Sequence, residues 1–384
     1  MKVYNANWLR NLHIVKEARR WQKQGWISKD QFDKISLEYP SSFYHPNIFI
    51  RILLFLATII ALSGITGLLG LMFFESGEKV LPWLCILYGA ISWIFLEKVF
   101  VRKNSHYKSG VNEGLLYHSL AFIIGGFAWL SDANIYAILI ACILIFTIAA
   151  IRFIDLISTA AALCCFGYFI FFSLYDAGGM IRQIIPFAMT LLFCSFYFLT
   201  VNFKDKKENE SWEDCLVIAE AFSLLVIYAG GNYLVVRELS VSMMDLQLQE
   251  GEDIPFAWLF YILTIAIPIA YLYFGIKKKD IVMIRVSLIV VAFAVFTFKY
   301  YFSLGHHEIT LTLGGIILIA IAMWLFRYLK TRRNGYTAEN ILSEKWGSAN
   351  ISALVISQTM GGNKTPEHVE NGGSFGGGGS TDSF

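Results

Sequence analysis

Charge is scarce in this chain. Only 16% of its 384 residues are Asp, Glu, Lys or Arg, where a soluble globular domain carries about 25%. The 31 basic and 29 acidic residues nearly cancel, leaving no excess of positive charge to draw a nucleic acid. Signatures of phosphate and metallohydrolase chemistry are missing too: no glycine loop ahead of a lysine and no HExxH. Cys85, Cys142, Cys164, Cys165, Cys194 and Cys215 show no metal or redox spacing, and the vicinal Cys164–Cys165 pair reads as small apolar packing. His306, His307 and Glu308 are adjacent, but three neighbours alone do not complete a metal site. No cofactor or metal is expected. Nor is a secretory signal peptide expected: the first apolar run begins near residue 48, too late for a short charged segment and an h-region of about 7–15 residues. That run is expected to stay as a membrane anchor.

What the chain has in abundance is long apolar runs. A bilayer core of about 30 Å needs about 20 apolar residues at about 1.5 Å rise each. Ten stretches approach or meet that length: Ile48–Phe74, Val80–Leu96, Gly114–Leu130, Ile135–Ile151, Leu156–Tyr175, Ile184–Phe203, Cys215–Val236, Ile254–Gly275, Ile281–Phe302 and Ile309–Tyr328. Each is expected to be helical, because a lone strand in lipid leaves its backbone groups unpaired. The short alternating segments of a β-barrel are not seen. The fold class is all-α, a polytopic membrane protein in contact with the lipid bilayer.

Basic residues set the orientation. The segment before the first run holds Lys2, Arg10, Lys16, Arg19, Arg20, Lys23, Lys29 and Lys34. The even-numbered loops add Lys98, Arg102, Lys103, Lys108, Arg152, Lys204, Lys206, Lys207, Lys277, Lys278 and Lys279, and the tail Arg327, Lys330, Arg332 and Arg333. The odd-numbered loops hold Lys79, Arg182 and Arg237. The alternation predicts an even number of crossings with both termini in the cytoplasm. Three regions follow: a cytoplasmic hairpin over 1–47, a membrane domain over 48–328, and a cytoplasmic tail over 329–384, glycine-rich and expected to be disordered from about residue 361.

The first region is punctuated like a helical hairpin. Trp8, Leu12, Val15, Ala18 and Trp21 fall at helical spacing. Gly25 stands where a left-handed C-cap is wanted, and Ser28 with Gln31 has the capping-box spacing. Phe32, Ile35 and Tyr39 make the second apolar face and Pro40 stops it. The second helix mixes Lys29 and Lys34 with Asp30, Asp33 and Glu38, unlike a basic recognition helix on DNA. The set Trp21, Gly25, Trp26, Ile27, Ser28 and Gln31, followed by about ten spans, resembles the bacterial predicted membrane proteins of domain-of-unknown-function family 2157. The motif match covers residues 18–40. The resemblance implies a bacterial inner-membrane protein and carries over no catalytic residue.

Ionisable groups inside lipid are costly, so each is a candidate site. Glu220 lies roughly 8 Å into the seventh run by helical rise. His118 and Arg285 enter from the same side at comparable depth, with Arg152 and Asp155 bordering them. A shared polar cluster facing the cytoplasm is geometrically open to them. The structural reading is an ion pair for Glu220 and a snorkelling Arg285. Glycines at 64, 67 and 70 and the pairs 125–126, 230–231 and 314–315 permit close helix packing or local unwinding. The functional reading is a non-enzymatic membrane protein that engages a cytoplasmic protein partner through residues 1–47 or its tail. The alternative is a transporter-like protein with a polar site around Glu220. On this topology, cysteines placed at Ser105 and Glu250 should label from opposite sides of the membrane; labelling from one side overturns it.

Overall fold

A computed structural model describes residues 2–73, 79–179, 181–242 and 252–301, with isolated helical positions between 315 and 327. Among the described residues there is no strand beyond one isolated bridge, Tyr44 to His106. The hairpin is α1 (Ala6–Lys23) and α2 (Lys29–Glu38). Asn5 caps α1. Gly25 takes φ +75°, and its turn is closed by Trp26 N–H donating to the Trp21 carbonyl at 2.9 Å. The Ser28 hydroxyl accepts from Gln31 N at 3.2 Å while Gln31 Oε1 accepts from Ser28 N at 2.8 Å, so both helix-start donors are satisfied reciprocally.

Nine helices among the described residues are long and apolar enough to cross a membrane. They are α3 (Ile48–Phe73), α4 (Leu81–Phe95) continued by a π-helical stretch Leu96–Lys103, α5 (Val111–Leu130), α6 (Ile135–Phe153), α7 (Leu156–Asp176), α8 (Ile181–Lys204), α9 (Glu213–Gly231) extended by a 3-10 stretch Lys207–Trp212, α11 (Ala257–Lys278) and α12 (Ile281–Tyr301). The tenth expected span, Ile309–Tyr328, falls almost wholly outside the described residues, as do the tail, the His306–Glu308 triplet and most of the 237–253 loop. Consecutive spans pack as hairpins, α4 with α5, α6 with α7, α8 with α9 and α11 with α12, while α3 lies against α5.

Several run boundaries are corrected. The seventh ends at Gly231, not Val236, and a short α10 (Tyr233–Ser242) follows. Asn232 makes the break: its backbone turns extended, and its side chain caps α10 through Val235 N at 3.2 Å. The apolar residues 234–236 hide that break from hydropathy. The second run continues to Lys103, the third begins at Val111, and the eighth begins at Ala257 after Pro255 and a left-handed Phe256.

The N-terminal segment and the even-numbered connections share one end of the bundle. Val3 N donates to the Arg152 carbonyl at 3.1 Å, and in the second loop Tyr107 N donates to the Tyr44 carbonyl while Tyr44 N donates to that of Ser105, both at 3.0 Å. Lys2 reaches Ser211. Tyr4 meets Tyr107 edge-on at 5.0 Å and Trp8 meets Phe43 at 5.4 Å.

Glycine sets the helix spacing. A Cβ on Gly126 would sit 2.6 Å from the Pro82 carbonyl oxygen and 2.8 Å from Ile86 Cγ1. One on Gly110, at φ +90°, would sit 2.1 Å from the Arg51 carbonyl oxygen. A Cβ on Gly125 meets nothing described within 4 Å. Gly126→Ala should therefore cost about 1–3 kcal/mol by forcing α4 from α5, while Gly125→Ala should be neutral or slightly stabilising. Unfolding of both variants in detergent checks this; equal effects would show that the α4–α5 approach is not set at Gly126.

Candidate functional site

The candidate residues lie at the end of the bundle that carries the hairpin, and they divide into separate neighbourhoods. Arg152, in the last turn of α6, donates from Nε and Nη2 to the two carboxylate oxygens of Glu97 at 2.8 and 2.7 Å. Arg102 donates to the same carboxylate at 2.7 Å. The π-helical stretch explains the second contact, because π turns bring residues five apart onto one face. Asp155 is the N-cap of α7. It accepts from Ser158 N at 2.7 Å and from the Tyr117 hydroxyl at 2.9 Å.

Next to this lies a cavity of about 200 Å³ lined by Tyr4, Arg51, Lys108, Glu113, Tyr117 and Asp155 among others. Its charges are engaged. Arg51 donates to Glu113 at 2.6 Å, and the other Glu113 oxygen accepts from Gly110 N at 2.7 Å. Lys108 faces Asp214 at 3.4 Å. Burial works to lower the Lys108 ammonium, but Tyr107 and Asp214 beside it raise it overall. Burial raises the Tyr4 and Tyr107 hydroxyls and holds His106 below the usual imidazole value.

Glu220 sits on α9, fully buried. Lys204, the last residue of α8, donates to its Oε2 at 3.0 Å. The Asp280 carboxyl, at the start of α12, lies within hydrogen-bonding reach, yet no donor reaches Glu220 Oε1. His118 is half-buried on α5, with its Nε2 3.5 Å from Thr66 Oγ1 and its ring against Tyr88 and Phe122. Arg285 is exposed on α12. Glu220, His118 and Arg285 thus stand in different surroundings, and Arg152 is turned to Glu97.

Arg51, Glu97, Glu113 and Asp280 join these neighbourhoods without having stood out by sequence. Arg51 lies in the first turn of the first apolar run, where an ionisable residue signals a nearby partner. Glu97 and Glu113 stand one residue outside their expected runs. Among the described residues no three His, Cys, Asp or Glu converge as a metal site requires.

Glu97 is the carboxylate that two cations share, and its side chain is 11% exposed against 33% for Arg152 and 60% for Arg102. Glu97→Ala should cost more than the roughly 1 kcal/mol of a surface pair and less than the about 3–5 kcal/mol of a fully buried one. Double-mutant cycles in detergent should give stronger coupling to Arg152 than to Arg102; the reverse order would contradict this geometry.

Against protein-family models, characterised proteins and solved structures, the chain gives no match.

Proposed function

We propose that this integral membrane protein is non-enzymatic and engages a cytoplasmic protein partner through its N-terminal hairpin, from the bacterial inner membrane with both termini inside. The carrying observation is the contrast between the base of the hairpin and its tip. Asn11 Nδ2 donates to the Pro40 carbonyl at 2.8 Å, His13 lies 3.1 Å from Glu210 and 3.4 Å from Glu213, and Leu9 and Ala18 are buried. At the tip Trp21 is 42% exposed and Trp26 59%, and on the outer side of α2 Leu37 is 75% exposed. Exposed tryptophan and leucine on a rigid, capped hairpin outside the spans suit a protein contact, where large aromatic side chains dominate binding energy. Trp21 and Trp26 also belong to the motif that resembles family 2157, which supports membership in that family.

The alternative, a transporter-like protein working through the Glu220 zone, is favoured by the one buried carboxylate oxygen there without a donor. Cross-linking and co-purification of the full chain discriminate the two. Trp26→Ala combined with Leu37→Ala should lose the captured partner by about tenfold or more, the equivalent of about 1.4 kcal/mol, with membrane insertion unchanged. Capture that ignores both substitutions removes the hairpin from the contact.

A further inference from the structure

Where α8, α9 and the α11–α12 turn meet, three ionisable groups converge: Glu220 is fully buried, while Lys204 and Asp280 are half-buried. Lys204 supplies a positive charge, and Glu220 and Asp280 supply two carboxyls. If both carboxyls are ionised the group is one negative charge in excess, at a site where Glu220 is fully buried. Two like charges without solvent between them are strongly unfavourable. Counting hydrogen bonds gives the same result by a separate route. Oε2 of Glu220 accepts from Lys204 at 3.0 Å, while Oε1 is buried without a donor, and a buried acceptor left unpaired costs about 1–3 kcal/mol. A second carboxylate cannot supply a hydrogen. A carboxylic acid can.

We propose that Glu220 and Asp280 together form a binding site for one proton. It is carried on Glu220 and donated to the Asp280 carboxylate. The assignment between the two follows from their other partners. Asp280 Oδ1 accepts from Val282 N at 2.9 Å and Met283 N at 3.2 Å at the start of α12, and backbone donors with the positive end of a helix favour the ionised form. Glu220 has one donor, the Lys204 ammonium. Binding converts one carboxylate to a carboxylic acid and leaves Lys204 charged, so the buried group becomes neutral overall. Tyr197 on α8 is a further titratable side chain, buried beside both carboxyls and also facing Cys194. The site stands apart from the hairpin surface and does not depend on it.

Infrared spectroscopy of the full chain in lipid reads the proton directly. At neutral pH the wild type should show a protonated-carboxyl C=O band that shifts in heavy water. Glu220→Gln should lose it by removing the carrier. Asp280→Asn should lose it as well, because a lone Lys204–Glu220 pair is already neutral. Melting followed against pH gives a second measure. A proton held more firmly when folded stabilises at low pH and ceases to do so as pH rises past its release, so wild-type stability should fall on that rise while Glu220→Gln stays flat. The proposal is overturned if Glu220→Gln and Asp280→Asn both leave the carboxyl band intact. It is also overturned if the band is absent at neutral pH and sodium, but not choline, raises the melting temperature, which would make the pair a cation site.

Discussion

Hydrocarbon offers no hydrogen bonds, and that single fact governs this molecule. Backbone groups must be satisfied within each span, which leaves helices. Side-chain charges must find partners within the chain, which explains why Glu97, Glu113 and Glu220 each meet a cation from another element or a neighbouring turn. Those pairs gather at the end where α3, α5, α7, α9 and α12 begin. The hairpin and the second, fourth and sixth connections close over the same end through Val3, Lys2 and Tyr44. Burial of a few carboxylates thus fixes the junctions between helical hairpins, and glycine fixes how near the helices come.

The spans are legible in the sequence because their signal is collective: some 20 apolar residues speak together, and an error at one position changes little. Boundaries depend on single residues. Asn232 ends α9 because its amide bonds the Tyr228 hydroxyl at 2.8 Å and Thr297 at 3.0 Å while capping α10, and none of those partners is visible from local hydropathy. The turn of the N-terminal hairpin is legible for the opposite reason. Gly25, Ser28 and Gln31 act on their own backbone, so spacing alone carries the information.

The polar site is legible in part. Depth along a helix marks Glu220 as a residue in need of a partner, but depth says nothing of the direction in which a side chain points. Arg285 shares that depth and faces outward, while His118 lies among Thr66, Tyr88 and Phe122. The partners actually used, Lys204 and Asp280, count as loop residues by sequence. In the fold Lys204 is the last residue of α8 and Asp280 directly precedes α12, and their approach to Glu220 is a property of how those helix ends pack on α9.

The placement of α3 bears on how the protein is assembled. This helix has no buried residue among those described and rests chiefly on α5, touching its chain neighbour α4 through Thr66 and Tyr88. During synthesis it leaves the ribosome two spans ahead of the helix it docks on, so it must first reside in the bilayer as a solitary segment. Its high apolar content makes that wait tolerable, and Arg51 at its end can keep its guanidinium among lipid headgroups. When α5 arrives, Gly110 accepts the Arg51 backbone at a distance no other residue would allow, and Glu113 takes over the charge from the headgroups. The ion pair between them is in effect a latch that closes only after both helices have been threaded into the membrane.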